Sequence, residues 1–229
     1  MKATKKTLRF TLTTPLVGSL PNKDLLVEHI ANNAPTDAAK DQEAAAVPSL
    51  EEQLERGTNV FARNMEDKKQ LHLWDYHVKG MIKELIGIHV EAGDLAPLTK
   101  WTFKRFVDDQ IFTYPRRIHL RNKAGEEIFT PDGSAEYGQC PTPGINVRPL
   151  RATTMQGDRV AIARSEMVAD GTYFDCEVEL IESSNAKSKS HGFDYDSLLE
   201  VLAYGQRKGM GQWRNAGWGR FTVVELPAS

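Results

Sequence analysis

An α+β fold, a sheet covered on one face by helices, is what this sequence predicts, and three observations carry it. Leu8–Thr14 alternates apolar and polar residues with the period of a half-buried strand. Trp74, Val78, Met81, Ile82, Leu85, Ile86 and His89 recur at the spacing of one helix face. The strand-like runs Val160–Met167 and Thr172–Ile181 precede a helical segment and a closing strand. Strand, helix, strands, helix, strand is the order of a ferredoxin-like, or RNA-recognition-like, sheet.

The first strand, Leu8–Thr14, is stopped by Pro15. An acidic insertion over about 19–58 follows, with eight acids against two bases between Lys23 and Glu55. It holds two short helical candidates, Lys23–Ala31 and Ser49–Glu55, the second with Ser49 as cap and Glu52 completing a capping box. A long amphipathic helix is expected from Asp75, its natural N-cap, to about Val90, ending before Gly93. Leu98–Asp109 repeats a helical pattern, Ile111–Tyr114 and Arg117–Arg121 are strand material on either side of Pro115, and Lys123–Glu126 is a turn. Proline and glycine become dense over about 131–157, which predicts an irregular loop. Ala169-Asp170-Gly171 is a hairpin signal between the two strands that follow. A polar linker, Glu182–Gly192, leads to the helix Tyr195–Tyr204, and Arg220–Leu226 closes the chain as a strand.

The 229 residues are enough for one domain with a sizeable core. No stretch has the roughly 18 to 20 uncharged residues of a membrane-spanning helix, and the basic Met1–Lys6 leads into alternation where a signal peptide would be unbroken apolar. Cys140 and Cys176 stand in no CxxC pair, so both are expected to be reduced thiols of a cytoplasmic protein, and zinc-ribbon or thioredoxin-type chemistry has no support. A net charge of −2 gives no global attraction to nucleic acid, yet Val201–Val224 carries four bases and no acid.

The last basic stretch contains the most informative segment. Gly209-Met210-Gly211-Gln212-Trp213-Arg214-Asn215-Ala216-Gly217-Trp218-Gly219-Arg220-Phe221 packs four glycines, two arginines and two tryptophans between a helix and a strand. Such a loop can offer backbone N–H groups and guanidinium charge to a phosphate chain and ring surfaces to unpaired bases. It precedes a terminal strand and opens no helix, which disfavours Walker or Rossmann phosphate loops. The glycines and Arg214 form GxGxxRxxGxG, which resembles the glycine-rich loop of the repeat-associated mysterious protein (RAMP) superfamily of CRISPR systems. Tyr76-His77-Val78-Lys79-Gly80-Met81-Ile82-Lys83-Glu84 is similar to the Lys-Gly start of the first helix in backbone subunits of type III effector complexes, although the two usual serines before the lysine are Tyr76 and His77. Arg164–Phe174 resembles a hairpin of the same subunits.

The resemblance implies a RAMP-type fold that binds guide RNA across the sheet and loop, without catalysis of its own, beside other subunits or copies of itself. A phage or mobile-element homologue using the fold for protein–protein contacts is an alternative. The residues expected to touch RNA are Lys79, Arg116, Arg117, Arg121, Arg151, Gly209, Gly211, Trp213, Arg214, Gly217, Gly219 and Arg220. Lys100, Lys104 and Arg105 extend one basic cluster, and Arg148, Arg159 and Arg164 join Arg151 around the proline-rich stretch. Repeat-processing endoribonucleases of the superfamily use a histidine as general base or acid, so the enzymatic alternative rests on His77, His29 or His119. Asp24, Asp37 and Asp41 lie where some relatives hold a metal-assisted aspartate, but a solvated acidic loop is the stronger reading. No histidine pair has the HxxxH spacing of a helical zinc site, and neither metal nor cofactor is expected.

Overall fold

The structure, a computed structural model, describes residues 2–21, 57–63, 70–95, 98–129, 144–154, 157–183 and 192–227. The helical candidates Lys23–Ala31 and Ser49–Glu55, with Asp24, His29, Asp37, Asp41 and Cys140, lie outside these residues. In chain order the elements are β1 (Lys2–Leu12), β2 (Leu16–Val17), β3 (Thr58–Asn59), β4 (Ala62–Arg63), β5 (Leu71–Trp74), α1 (Asp75–Ala92), α2 (Phe103–Gln110), β6 (Ile111–Tyr114), β7 (Arg117–His119), β8 (Ile145–Thr154), β9 (Gly157–Val168), β10 (Tyr173–Glu182), α3 (Tyr195–Lys208) and β11 (Phe221–Glu225). The protein is α+β. No helix among the described residues is long and apolar enough to cross a membrane.

The main sheet runs β11-β1-β10-β6 and is antiparallel throughout. Counted along the chain, its four strands lie in the order fourth, first, third, second, with α1 and α2 between the first and second and α3 between the third and fourth. Alternation decides which face is covered: Leu8, Phe10 and Leu12 of β1 and Phe174, Cys176, Val178 and Leu180 of β10 are buried in one core with Val78, Ile82 and Leu85 of α1 and Leu198, Val201 and Leu202 of α3. Phe10 stacks on Phe174 with centroids 5.0 Å apart and meets the edge of Phe221 at 5.3 Å. The helices approach closely at Gly205, where a Cβ would stand 2.6 Å from Leu85 Cδ1. Burial pushes the Cys176 thiol up to about 12, so it stays protonated at neutral pH.

The opposite face is polar and internally paired. Arg9 holds Asp175 through two bonds of 2.7 and 2.8 Å, Lys5 reaches Glu177 at 2.5 Å, and the Tyr114 hydroxyl donates to Glu179 at 3.2 Å. Two smaller sheets flank this layer. β9 pairs with β2, β3 and β8, and β5 lies between β4 and β7.

Several expectations are corrected. β8 occupies Ile145–Thr154 within the stretch read as an irregular loop. Among the described residues β8 pairs only with β9, an edge position at which a proline, lacking an N–H, is tolerated at 149. Ala169–Gly171 turns the chain but makes no hairpin, because β9 and β10 belong to different sheets and the Gly171 N–H bonds to Leu12 O. The cap of α1 is Trp74, since Asp75 already has helical geometry and turns its carboxylate to the Tyr76 N–H and to Arg116. α2 starts at Phe103, after a turn in which the Thr102 hydroxyl takes the Thr99 N–H. The chain leaves at Leu20 and returns beside it at Val60, each residue accepting the other's N–H.

Two measurements test this packing. Phe10→Ala removes the ring at the centre of the core and is expected to cost about 3–5 kcal/mol in denaturant unfolding, whereas Trp101→Ala, 82% exposed, changes stability by under about 0.5 kcal/mol. Equal losses would contradict the assigned core. His72 of β5 is buried beside its cross-strand partner His119, and burial lowers its pKa below the usual imidazole value. A lowered folded pKa means that the unfolded state takes the proton more readily, so the contribution is complete above about pH 6.5 and is lost as pH falls below it. Stability is therefore expected to drop between pH 7 and 5 by up to about 1.4 kcal/mol per pH unit for this group, with a flatter profile in His72→Phe.

Candidate nucleic-acid interface

The glycine-rich segment leaves α3 at Gly209 and is closed at its neck by the Met210 N–H bonding to Gly219 O at 2.9 Å. Gly219 is required there by close approach, because a Cβ would fall 2.1 Å from Met210 O. A Cβ at Gly209 would fall 2.6 Å from Trp218 O, and one at Gly211 2.6 Å from Leu16 Cδ1. Gly217 is required by conformation, with φ at 86°. The continuation of β1 ties the loop down: Gly219 N–H bonds to Pro15 O, Thr14 Oγ1 donates to Gly217 O, and Arg220 N–H donates to Thr14 Oγ1, all at 2.8 to 2.9 Å.

The loop lies against the first turns of α1. Arg214 forms an ion pair with Glu84, and Lys208 approaches the same carboxylate at 3.9 Å. A cleft of about 320 Å³ separates the two elements, lined by Tyr76, His77, Gly80 and Glu84 from the helix, by Met210, Gly211, Gln212 and Arg214 from the loop, and by Leu16, Val17 and Leu73 below. A second cavity of about 390 Å³ shares Gly211, Gln212 and Arg214 and continues past Trp213 and Asn215 to Arg148 of β8. Arg148 is buried, and burial holds its pKa below the usual guanidinium value. Its Nη1 donates to Asn146 Oδ1 at 3.1 Å and Ser165 Oγ at 3.3 Å, and its guanidinium lies 4.7 Å from the Trp213 ring.

The expected site residues divide into two groups. Gly209, Gly211, Trp213, Arg214, Gly217, Gly219 and Arg220 share the loop, and the helix expected beside it is beside it. Lys79 is not in the cleft. Tyr76, Gly80 and Glu84, four apart, face the loop, while Lys79 and Lys83 face α2, where Lys79 Nζ donates to Asp108 O at 3.0 Å and Lys83 pairs with the Asp108 carboxylate. Arg116 pairs with Asp75 and lies over Trp74 and Tyr76, and Arg117 also lies over Trp74, so both sit near the helix start. Arg121 is spent elsewhere, on Gly125 O and Glu127. Arg151 belongs to β8, and its side chain is outside what the structure describes.

Of the histidines, His77 lines the cleft. Its Nδ1 accepts the Trp74 N–H at 3.4 Å and burial lowers its pKa, so it is a neutral ring that caps its own helix. His119 stands away from the cleft, its ring 6.1 Å from His72. Among the described residues no group of three or more His, Cys, Asp or Glu side chains is arranged to hold a metal ion. Sequence reasoning placed Arg148 only in a diffuse basic cluster. The signal that could have singled it out is the period-two pair Asn146 and Arg148, polar residues aligned on one face of a strand.

No family model matches the chain, and no curated protein does. Among solved structures, one chain of a "Type IV-B CRISPR Complex" is similar over 99% of this chain and 93% of its own length, with 11% sequence identity and a TM-score of 0.45.

Proposed function

We propose that this protein is a RAMP-like, single-stranded-RNA-binding subunit of a CRISPR-type ribonucleoprotein complex, performing no chemistry of its own. The observation that carries the reading is the meeting of two segments with separate family resemblances: the GxGxxRxxGxG loop and the Tyr76–Glu84 helix start, joined by an ion pair between residues 130 positions apart. The fourth-first-third-second strand order with its two helical crossovers supports a ferredoxin-like sheet as the frame. The groove beside the loop, not the open sheet face, is the RNA path in this reading. On the sheet face Asp175, Glu177 and Glu179 engage Arg9, Lys5 and Tyr114, leaving a carboxylate-rich surface that repels phosphates.

Binding of a short single-stranded RNA is expected to weaken with salt, by roughly 0.7 log units in affinity per tenfold salt for each phosphate contact. A flat salt response would remove the groove as an electrostatic site. Replacing His29, His77 or His119 singly by alanine is expected to leave RNA affinity within about threefold, or about 0.65 kcal/mol, with no cleavage by the unmodified protein. Gly217→Val is expected to weaken binding, because a β-branched residue resists the φ of 86° that the loop needs there. Metal-independent cleavage of an RNA hairpin, lost in one histidine variant, would replace this reading by the endoribonuclease.

A further inference from the structure

Arg148 is 4% exposed, and its bonded acceptors are all neutral: Asn146 Oδ1, Ser165 Oγ and, at 3.5 Å, Gln212 Oε1. Its Nε has no partner, and no carboxylate among the described residues pairs with it. A buried cation normally has a paired anion, because desolvation of an unpaired charge is expensive. Arg214, partly buried in the adjoining loop, obeys that rule through Glu84. Arg148 does not.

Its surroundings hold the guanidinium in place without neutralising it. Asn146 and Ser165 are cross-strand partners on β8 and β9 and are fully buried, so they fix one end of the fork. Gln212 is itself oriented by the Asn59 amide, which donates to the same Oε1 at 3.3 Å. Trp213 is the one non-glycine residue with positive φ among the described residues, at 58°, a conformation that costs a bulky side chain energy and that brings its ring against both Arg148 and Trp218. The result is a fixed guanidinium that lines a cavity of about 390 Å³ together with Gly211, Gln212, Trp213, Arg214 and Asn215. Trp213 is thereby occupied by protein neighbours, so its role differs from the base-stacking surface that composition suggested.

We propose that this cavity is a phosphate site, with the Arg148 guanidinium as its anchoring charge and Trp213 as the plate that holds the guanidinium flat. A phosphate in the cavity would supply the missing negative charge to a guanidinium that lines it, a match that a planar fork makes better than an ammonium. That the phosphate is carried by an RNA strand rests on the function proposed above; the anion site itself does not.

The test reads the arginine Nε–Hε resonances of the ¹⁵N-labelled full chain, with the Arg148 signal identified by its absence in Arg148→Lys. Inorganic phosphate, 5′-AMP and a single-stranded RNA without terminal phosphates are titrated separately against sodium chloride at matched ionic strength. The Arg148 signal is expected to move with phosphate and with the RNA and not with chloride. In parallel, Arg148→Gln is expected to lose about tenfold or more in RNA affinity and to shallow the salt slope by about 0.7. Movement with phosphate or 5′-AMP but no RNA binding would keep the anion site, assign it to a small phosphate and sink the RNA reading. RNA binding with a still Arg148 signal and an unchanged salt slope in Arg148→Gln would overturn the anchor while leaving the RNA reading standing. If none of the three ligands moves the signal, Arg148 is an internal clamp for Gln212 and the proposal fails. Should Arg148→Gln not fold, the wild-type titration decides alone.

Discussion

The placement of β1 between β10 and β11 governs what the rest of the molecule can do. Leu8, Phe10 and Leu12 carry the centre of the core, and the residues just beyond them build the site. Thr13 N–H bonds to Arg220 O, Thr14 and Pro15 hold Gly217 and Gly219, and Leu16 and Val17 pair with Val168 and Met167 of the second sheet. One stretch of chain therefore joins the hydrophobic layer, the glycine-rich loop and the sheet that carries Arg148. A shift of β1 by one residue would turn Phe10 to solvent and pull the loop clamp out of register at the same time, so core packing enforces the site geometry.

Charge is distributed with equal consequence. A near-neutral chain rich in arginine leaves open which cations face solvent partners and which are consumed internally, and pairing answers that here. Arg9, Arg63, Arg116, Arg121 and Arg214 all have carboxylates, most of them at the surface, where each pair adds little stability but removes a cation from the field that an approaching polyanion meets. Arg148 and Arg220 stand at the loop without such a partner, as do Arg117, Arg164 and Arg207 elsewhere among the described residues. Which cations stay unpaired is a distribution that total charge cannot reveal.

The parts of this arrangement that were legible in sequence are those encoded by local periodicity. α1 was readable from its apolar stripe, β1 and β10 from alternation, and the glycine loop from its spacing, because each involves residues that are neighbours in the chain. β2 to β5 are two to four residues long and too short to show a period. β8 was hidden by Pro149, whose harmlessness depends on an edge position that only the sheet reveals. Ala169–Gly171 has the composition of a hairpin turn, but turn chemistry does not say with which strands the flanking segments pair. Lys79 was placed on the right helix and the wrong face: Gly80, one residue on, lines the cleft, and a rotation of about 100° per residue separates the two.

Glycine-rich loops are usually credited with flexibility, and the glycines here act in the opposite sense. Their missing side chains let the two limbs of the loop touch at Met210 and Gly219 and let the whole loop settle on Leu16, so that backbone bonds and the Arg214–Glu84 pair can lock it. Trp213 stays in a conformation it would not choose alone because two neighbours hold its ring. A loop fixed this way has little conformational entropy left to lose, so more of any ligand's contact energy appears as affinity. The strain at Trp213 and the uncompensated charge at Arg148 are then two costs carried by touching residues that line one cavity, and under the proposal above an anion in that cavity would offset the second.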